Sequence, residues 1–169
     1  MDIVAACNIN FNRPLLSLAK AAGKTVATDV HVFNNIWDEY NRDFLEAADI
    51  VFLSDEHLGD DFGWFLKELA HTWNIPIVVL GRGSKGAAMY LKTEDRFVVL
   101  PAAHVGQVIN TVGAGDALFT AFVHYYAKGF GPEESLRRAI VFAAAKIRVS
   151  GASLGFVSEG EVEEMLSWN

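Results

Sequence analysis

Residues 110–116 read Asn-Thr-Val-Gly-Ala-Gly-Asp, and each residue type in that run bears on the chemistry of an anion. Two glycines flanking an alanine let successive backbone N–H groups turn to one side as an anion-binding nest, and a helix that follows adds the partial positive charge of its N-terminus. Phosphate is the natural guest. Asp116 sets a carboxylate at the mouth of the nest, badly placed for simply holding phosphate but well placed to take a proton from an attacking hydroxyl. A base beside an anion hole describes phosphoryl transfer; the plainer reading is a glycine-rich strand-to-helix turn capped by an acid.

Such a loop needs a strand before it and a helix behind it. The extended stretch 105–109 and the apolar run from Ala117, predicted as a helix to Lys128 and stopped by Gly129, supply them in that order. A second glycine loop, Gly81-Arg-Gly-Ser-Lys-Gly86, follows the predicted strand 76–80. It matches G-x-G-x-x-G, yet the residues after it alternate like a strand and position 106 is glycine, so it is not a dinucleotide fingerprint, which opens a helix and needs an acid about twenty residues on.

Upstream, the pattern predicts a strand at 2–7, a helix at 12–22 opened by Asn12 and Pro14, and a strand at 24–30. A helix over 35–48 with Ile36, Tyr40, Phe44 and Ala47 on one face, a strand at 50–53 and a helix at 61–73 come next. The runs 87–91 and 97–100, divided by a charged turn, predict a hairpin. After the nest, Pro132 opens a helix with Leu136, Ile140, Ala143 and Ile147 inward and Arg137, Arg138, Lys146 and Arg148 largely outward; Ser158-Glu-Gly-Glu161 fits a capping box for a last helix over 161–168. Strands alternating with helices give an α/β fold with a largely parallel central sheet flanked by helices and a late hairpin. Ligands in such sheets bind beyond the carboxyl ends of the strands.

The chain has 169 residues, 51% hydrophobic and 21% charged, and one domain is expected. A net charge of −7 and a pI near 5.1 supply no basic footprint for nucleic acid or an anionic membrane. Cys7 is alone, no apolar run is as long as a membrane span, and a cytoplasmic setting is expected. The five histidines form no metal-like spacing, so no structural metal is predicted.

The 110–116 run resembles the second signature of the ribokinase-like (PfkB) carbohydrate kinases, Asp-Thr-x-Gly-Ala-Gly-Asp, and the turn containing Gly83 and Gly86 resembles that family's Gly-x-x-Gly turn into a hairpin. The resemblance covers nearly the whole chain but about the C-terminal half of the family, including Val26 to Asp29, Ala48-Asp-Ile50 and Gly151-Ala152; the lid strands and most sugar-holding groups have no counterpart. It implies that Gly113, Ala114 and Gly115 form the anion hole and that Asp116 activates the acceptor hydroxyl. It implies too that Gly81, Gly83, Ser84, Lys85 and Gly86, with Asn110, Thr111 and Ile140, line the nucleotide. Lys85 is equally well read as solvated, and Ile140 as core.

Two departures touch the chemistry. The family's Asn-x-x-Glu, which organises magnesium and phosphate through water, is replaced by Ser54 and His57; Asp55 and Glu56 are read either as serving the metal instead or, the favoured reading, as surface acids capping the next helix. Asn110 stands where many members carry an Asp that helps hold a monovalent cation, which weakens the expectation of potassium activation.

The resemblance thus implies an ATP-dependent, magnesium-assisted phosphotransferase acting on a sugar or nucleoside-like hydroxyl. The alternatives are a nucleotide-binding module with little transferase activity and a structural partner that completes its site only with another polypeptide or another copy of itself. A sheet edge left without the preceding strands predicts self-association, with a homodimer favoured.

Overall fold

The computed structural model describes residues 1–56, 58–59, 61–104, 106–151 and 153–168. Six strands form one mixed sheet in sequence order: β1 (Ile3–Ala5), β2 (Thr25–Val32), β3 (Ile50–Ser54), β4 (Ile77–Gly81), β5 (Ala87–Leu91) and β6 (Arg96–Leu100). Helices α1 (Arg13–Ala21), α2 (Arg42–Ala47) and α3 (Phe62–Thr72) connect the first four, which pair in parallel with Ile3 beside Thr25, Ala27 beside Ile50 and Ile50 beside Ile77. The short links from β4 to β5 and from β5 to β6 leave no room for a crossover and so join antiparallel neighbours. After β6 come α4 (Ala114–Ala127), α5 (Pro132–Lys146) and α6 (Glu159–Leu166).

The described chain divides into two compact units, Met1–Arg82 with Ala88–Val99, and Gly83–Ala87 with Leu100–Asn169. In the first, Val51, Leu53, Val78 and Leu80 pack with Phe65, Leu66, Leu69 and Ala70 of α3. Each fully buried leucine there contributes about 1.5–3 kcal/mol by the water-excluded area of its side chain. Ile50, Phe52, Ile77 and Val79, on the opposite face, are buried as well. Strands buried on both faces explain why these segments read as continuous apolar runs rather than alternating ones.

The hairpin is fastened at its tip. Asp95 adopts the left-handed conformation (φ 46°), accepts a 2.6 Å hydrogen bond from the buried Tyr90 hydroxyl and pairs with Lys67 at 2.6 Å. Burial, and then the Asp95 carboxylate, push the Tyr90 phenol up to about 12. In the second unit Tyr125, Val141, Ala145, Val162 and Met165 form the core. Arg138 lies over the Phe130 ring at 4.3 Å and binds Glu134 and Glu163, both at 2.7 Å.

Several elements depart from the sequence expectation. The helix predicted over 35–48 shrinks to α2, because Asn35 Oδ1 accepts from the Trp37 amide and Asp38 Oδ2 from the Asn41 amide, local bonds that compete with helix formation. The described residues of 105–109 form no strand; instead the Ile109 and Asn110 amides both donate to the Ile147 carbonyl. The helix after the nest begins at Ala114 rather than Ala117, so the second glycine and Asp116 lie inside it. The Ser158–Glu161 capping box is present in both directions, and α6 starts at Glu159. Lys146, expected outward, is fully buried.

Candidate active site

The nest is built on the start of α4. Gly113 takes the N-cap position in the left-handed region (φ 80°), a conformation that glycine adopts without the Cβ penalty, and no side chain caps the helix. An α-helix leaves the first turn's amides without intrahelical acceptors. Here the Ala114 amide donates to the Thr111 carbonyl at 3.1 Å and the Ala117 amide to the Gly113 carbonyl at 2.9 Å. Among the described residues no backbone carbonyl takes the Gly113, Gly115 or Asp116 amide, and the helix dipole lies behind them.

Gly115 differs from Gly113. It lies within the helix at a negative φ, and a Cβ there would meet nothing within 4 Å. The fold therefore does not require glycine at 115, and the positive φ needed by the nest belongs to Gly113 alone. Because Cβ atoms on a helix tilt toward its N-terminus, any side chain at 115 would stand over the free amides.

Asp116 is exposed at the third helical position. With Gly113, Ala117, Thr120, Phe142 and Phe156 it lines a cavity of about 280 Å3. The Phe142 and Phe156 rings lie nearly parallel, 8° apart with centroids at 5.9 Å, and make that part of the lining apolar. A carboxylate, free amides and an apolar wall can take a hydroxyl proton, hold an anion and seat a small organic ring.

Asn110 Oδ1 accepts from the Val112 amide at 2.9 Å, an Asx turn that shapes the approach to Gly113. Thr111 is exposed and contributes its carbonyl. Gly83, Ser84 and Lys85 form an exposed 3-10 turn, while Gly86 (φ 88°) is buried against the backbone of residues 100–102, which explains its glycine without a ligand. Ile140 is a buried residue of α5, 7% exposed. Neither this turn nor Ile140 lines the cavity with Asp116.

In the first unit, Gly81 ends β4 and its carbonyl accepts from the Asp55 amide at 3.1 Å. Ser54, at the carboxyl end of β3, buries its Oγ with no hydrogen-bond partner among the described residues. Asp55 and Glu56 occupy a turn, not the first turn of α3, which starts at Phe62; His57 lies outside the described residues. Among the described residues no group of three His, Cys, Asp or Glu side chains could hold a metal.

Sequence reasoning missed Thr120, Phe142, Phe156 and Lys146. Asp116 and Thr120 are four apart on α4, a face that periodicity could have exposed; the two phenylalanines meet only through tertiary packing. Lys146 places its Nζ 2.7 Å from the Gly151 carbonyl and 3.5 Å from that of Val112.

The pfkB family carbohydrate kinase pattern matches residues 10–158. Among curated proteins, a deoxyribokinase of Salmonella typhi is 35% identical over 54% of this chain and 29% of its own length, and an Arabidopsis thaliana ribokinase is 32% identical over 95% of this chain and 44% of its own. Among solved structures, a microbiome-derived acarbose kinase superposes with a TM-score of 0.88 at 26% identity, over 98% of this chain and 55% of that one. Arabidopsis thaliana ribokinase, solved with ribose and ATP, superposes with a TM-score of 0.83 at 24% identity over 99% of this chain and 56% of that one. The chain thus spans less than half the length of these curated relatives and somewhat over half of the solved neighbours.

Proposed function

The chain belongs to the pfkB family of carbohydrate kinases, and from that premise we propose that it carries the phosphoryl-transfer machinery of a cytoplasmic kinase that moves the γ-phosphate of ATP to a hydroxyl of a small sugar or nucleoside-like acceptor. The observation that carries this reading is the start of α4, where glycine at 115 serves no need of the fold and a carboxylate follows it. The free amides of Gly113, Gly115 and Asp116 hold the charge that grows on the transferring phosphoryl oxygens. An Asp116 carboxylate oxygen takes the acceptor's hydroxyl proton as its oxygen bonds to phosphorus and ADP leaves. The Phe142 and Phe156 rings give the cavity they share with Asp116 an apolar lining for the acceptor's carbon skeleton. Gly83, Ser84 and Lys85 offer amides and an ammonium to the nucleotide's phosphates. Magnesium carried by the triphosphate neutralises phosphate charge when bound; no described cluster of side chains fixes it.

A nucleotide-binding module without transferase activity draws no support from these comparisons, in which the named relatives are kinases. Replacing Asp116 by Asn tests the assignment: phosphoryl transfer assayed over a panel of sugars and nucleosides falls by about 10²-fold or more, while calorimetry keeps ATP affinity within a few-fold. Equal loss of binding and turnover would make Asp116 a structural acid.

A further inference from the structure

Lys146, on the last turn of α5, is fully buried, yet no carboxylate pairs with it among the described residues. Removing a cation from water without a counter-charge is costly and is tolerated only where dipoles replace the lost hydration. Here those dipoles are two backbone carbonyls: Gly151 at 2.7 Å, on the segment after α5, and Val112 at 3.5 Å, in the residue before the nest's left-handed Gly113. The adjacent residue completes the tie. The Ile147 carbonyl receives the Ile109 amide at 2.8 Å and the Asn110 amide at 3.1 Å, so the end of α5 grips the approach to the nest at both ends. The far segment is equally constrained: Gly155 (φ 84°) lies so near the Val149 side chain and the Lys146 carbonyl that a Cβ would collide with the former.

The Asx turn at Asn110 orients the Val112 amide, and the ammonium attracts the Val112 carbonyl. The peptide units feeding Gly113 are thereby fixed on both sides. A hydrocarbon side chain at 146 would satisfy the core but would leave both carbonyls unpaired. Side-chain entropy also disfavours burying a lysine for packing alone.

We infer that Lys146 is a positioning residue of the phosphoryl site, a covalently attached internal cation that locks the Asn110–Gly113 approach and adds positive potential beneath the amide nest. The inference rests on the phosphoryl-transfer reading of that nest. An internal ammonium does the work of a dissolved monovalent cation, so nucleotide binding should not depend on which cation the buffer holds.

The test uses the full chain and ADP as the probe. By calorimetry, the wild-type affinity for ADP should be the same within about twofold in potassium, sodium or tetramethylammonium chloride, at constant ionic strength. Lys146→Met should weaken ADP binding about tenfold or more, as expected for loss of charge-assisted bonds that shape the site, while Lys146→Arg retains more affinity than Lys146→Met. In Lys146→Ala, added ammonium chloride should recover part of the lost affinity where tetramethylammonium chloride does not. A folded Lys146→Met that binds ADP like wild type overturns the proposal, as does a potassium requirement of the wild type, which needs no variant to fold. If wild type binds no ADP in any salt, the nest reading itself fails and this inference with it; normal wild-type binding with a silent Lys146→Met sinks the lysine's role alone.

Discussion

Gly83 and Gly86 bound a single turn, yet alanine at the two positions should have different effects. Gly83 has φ 54° and a Cβ there would meet nothing within 4 Å, so the substitution carries only the left-handed penalty, about 1–2 kcal/mol. Gly86 has φ 88°, and its Cβ would fall 2.6 Å from the Ala102 amide nitrogen and nearer still to the Leu100 carbonyl oxygen and the Pro101 carbonyl carbon. Favourable non-bonded contacts lie at about 3.5–4.0 Å, so backbone at 100–102 must move. Overpacking of that kind adds about 1–3 kcal/mol to the same left-handed penalty. In a chain of this size 1 kcal/mol shifts the melting temperature by about 2–4 °C. Gly83→Ala should thus melt about 2–8 °C below wild type, and Gly86→Ala a further 2–12 °C lower. Calorimetric melting paired with urea midpoints measures both. Equal losses, or a milder effect at 86, would refute the argument that Gly86 is glycine because the chain's own backbone crosses it.

The Tyr90 phenol, raised to about 12 by burial and then by Asp95, is neutral in the fold over a range where the unfolded phenol ionises. Its stabilisation is complete below about pH 10 and is lost as pH rises through 12, so Tyr90→Phe should flatten the fall of stability with pH across that window by up to one proton; an unchanged slope contradicts this. Phe11, Leu18 and Trp37 are 82%, 65% and 69% exposed, and β1 stands at an edge of the sheet. Such surfaces favour association, so light scattering over a concentration series should show a dimer or larger species, and a monomer throughout would mean these side chains are tolerated in water.

The parallel strands were legible because burial on both faces writes continuous apolar runs such as Ile50-Val51-Phe52-Leu53, bounded by turn residues. The turn that opens α4 was legible because few residues other than glycine accept the left-handed N-cap at 113. What failed had physical causes. The 35–48 helix has the right periodicity, but Asn35 and Asp38 close turns with nearby amides, and the Ile36 carbonyl is taken by the Trp73 indole at 2.8 Å, a partner 37 residues away. Lys146 was placed outward on charge alone, although it lies seven residues from the buried Ala139 and so on the apolar face of α5. No local pattern could have announced its two carbonyl partners. The Phe142 and Phe156 wall is likewise tertiary, because Phe156 belongs to no helix or strand.

Gly115 offers the most direct test of the central claim that the start of α4 is built to receive phosphate. Its φ is helical and its surroundings are open, so Gly115→Ala should leave the melting temperature unchanged or raise it, alanine being favoured over glycine in a helix by up to about 1 kcal/mol. The new methyl points toward the helix N-terminus and over the free amides. Calorimetric titration with ADP should therefore show affinity reduced about tenfold or more in a protein at least as stable as wild type. Unchanged ADP affinity in that stable variant would contradict the account, because nothing would then approach the amides that glycine at 115 leaves open.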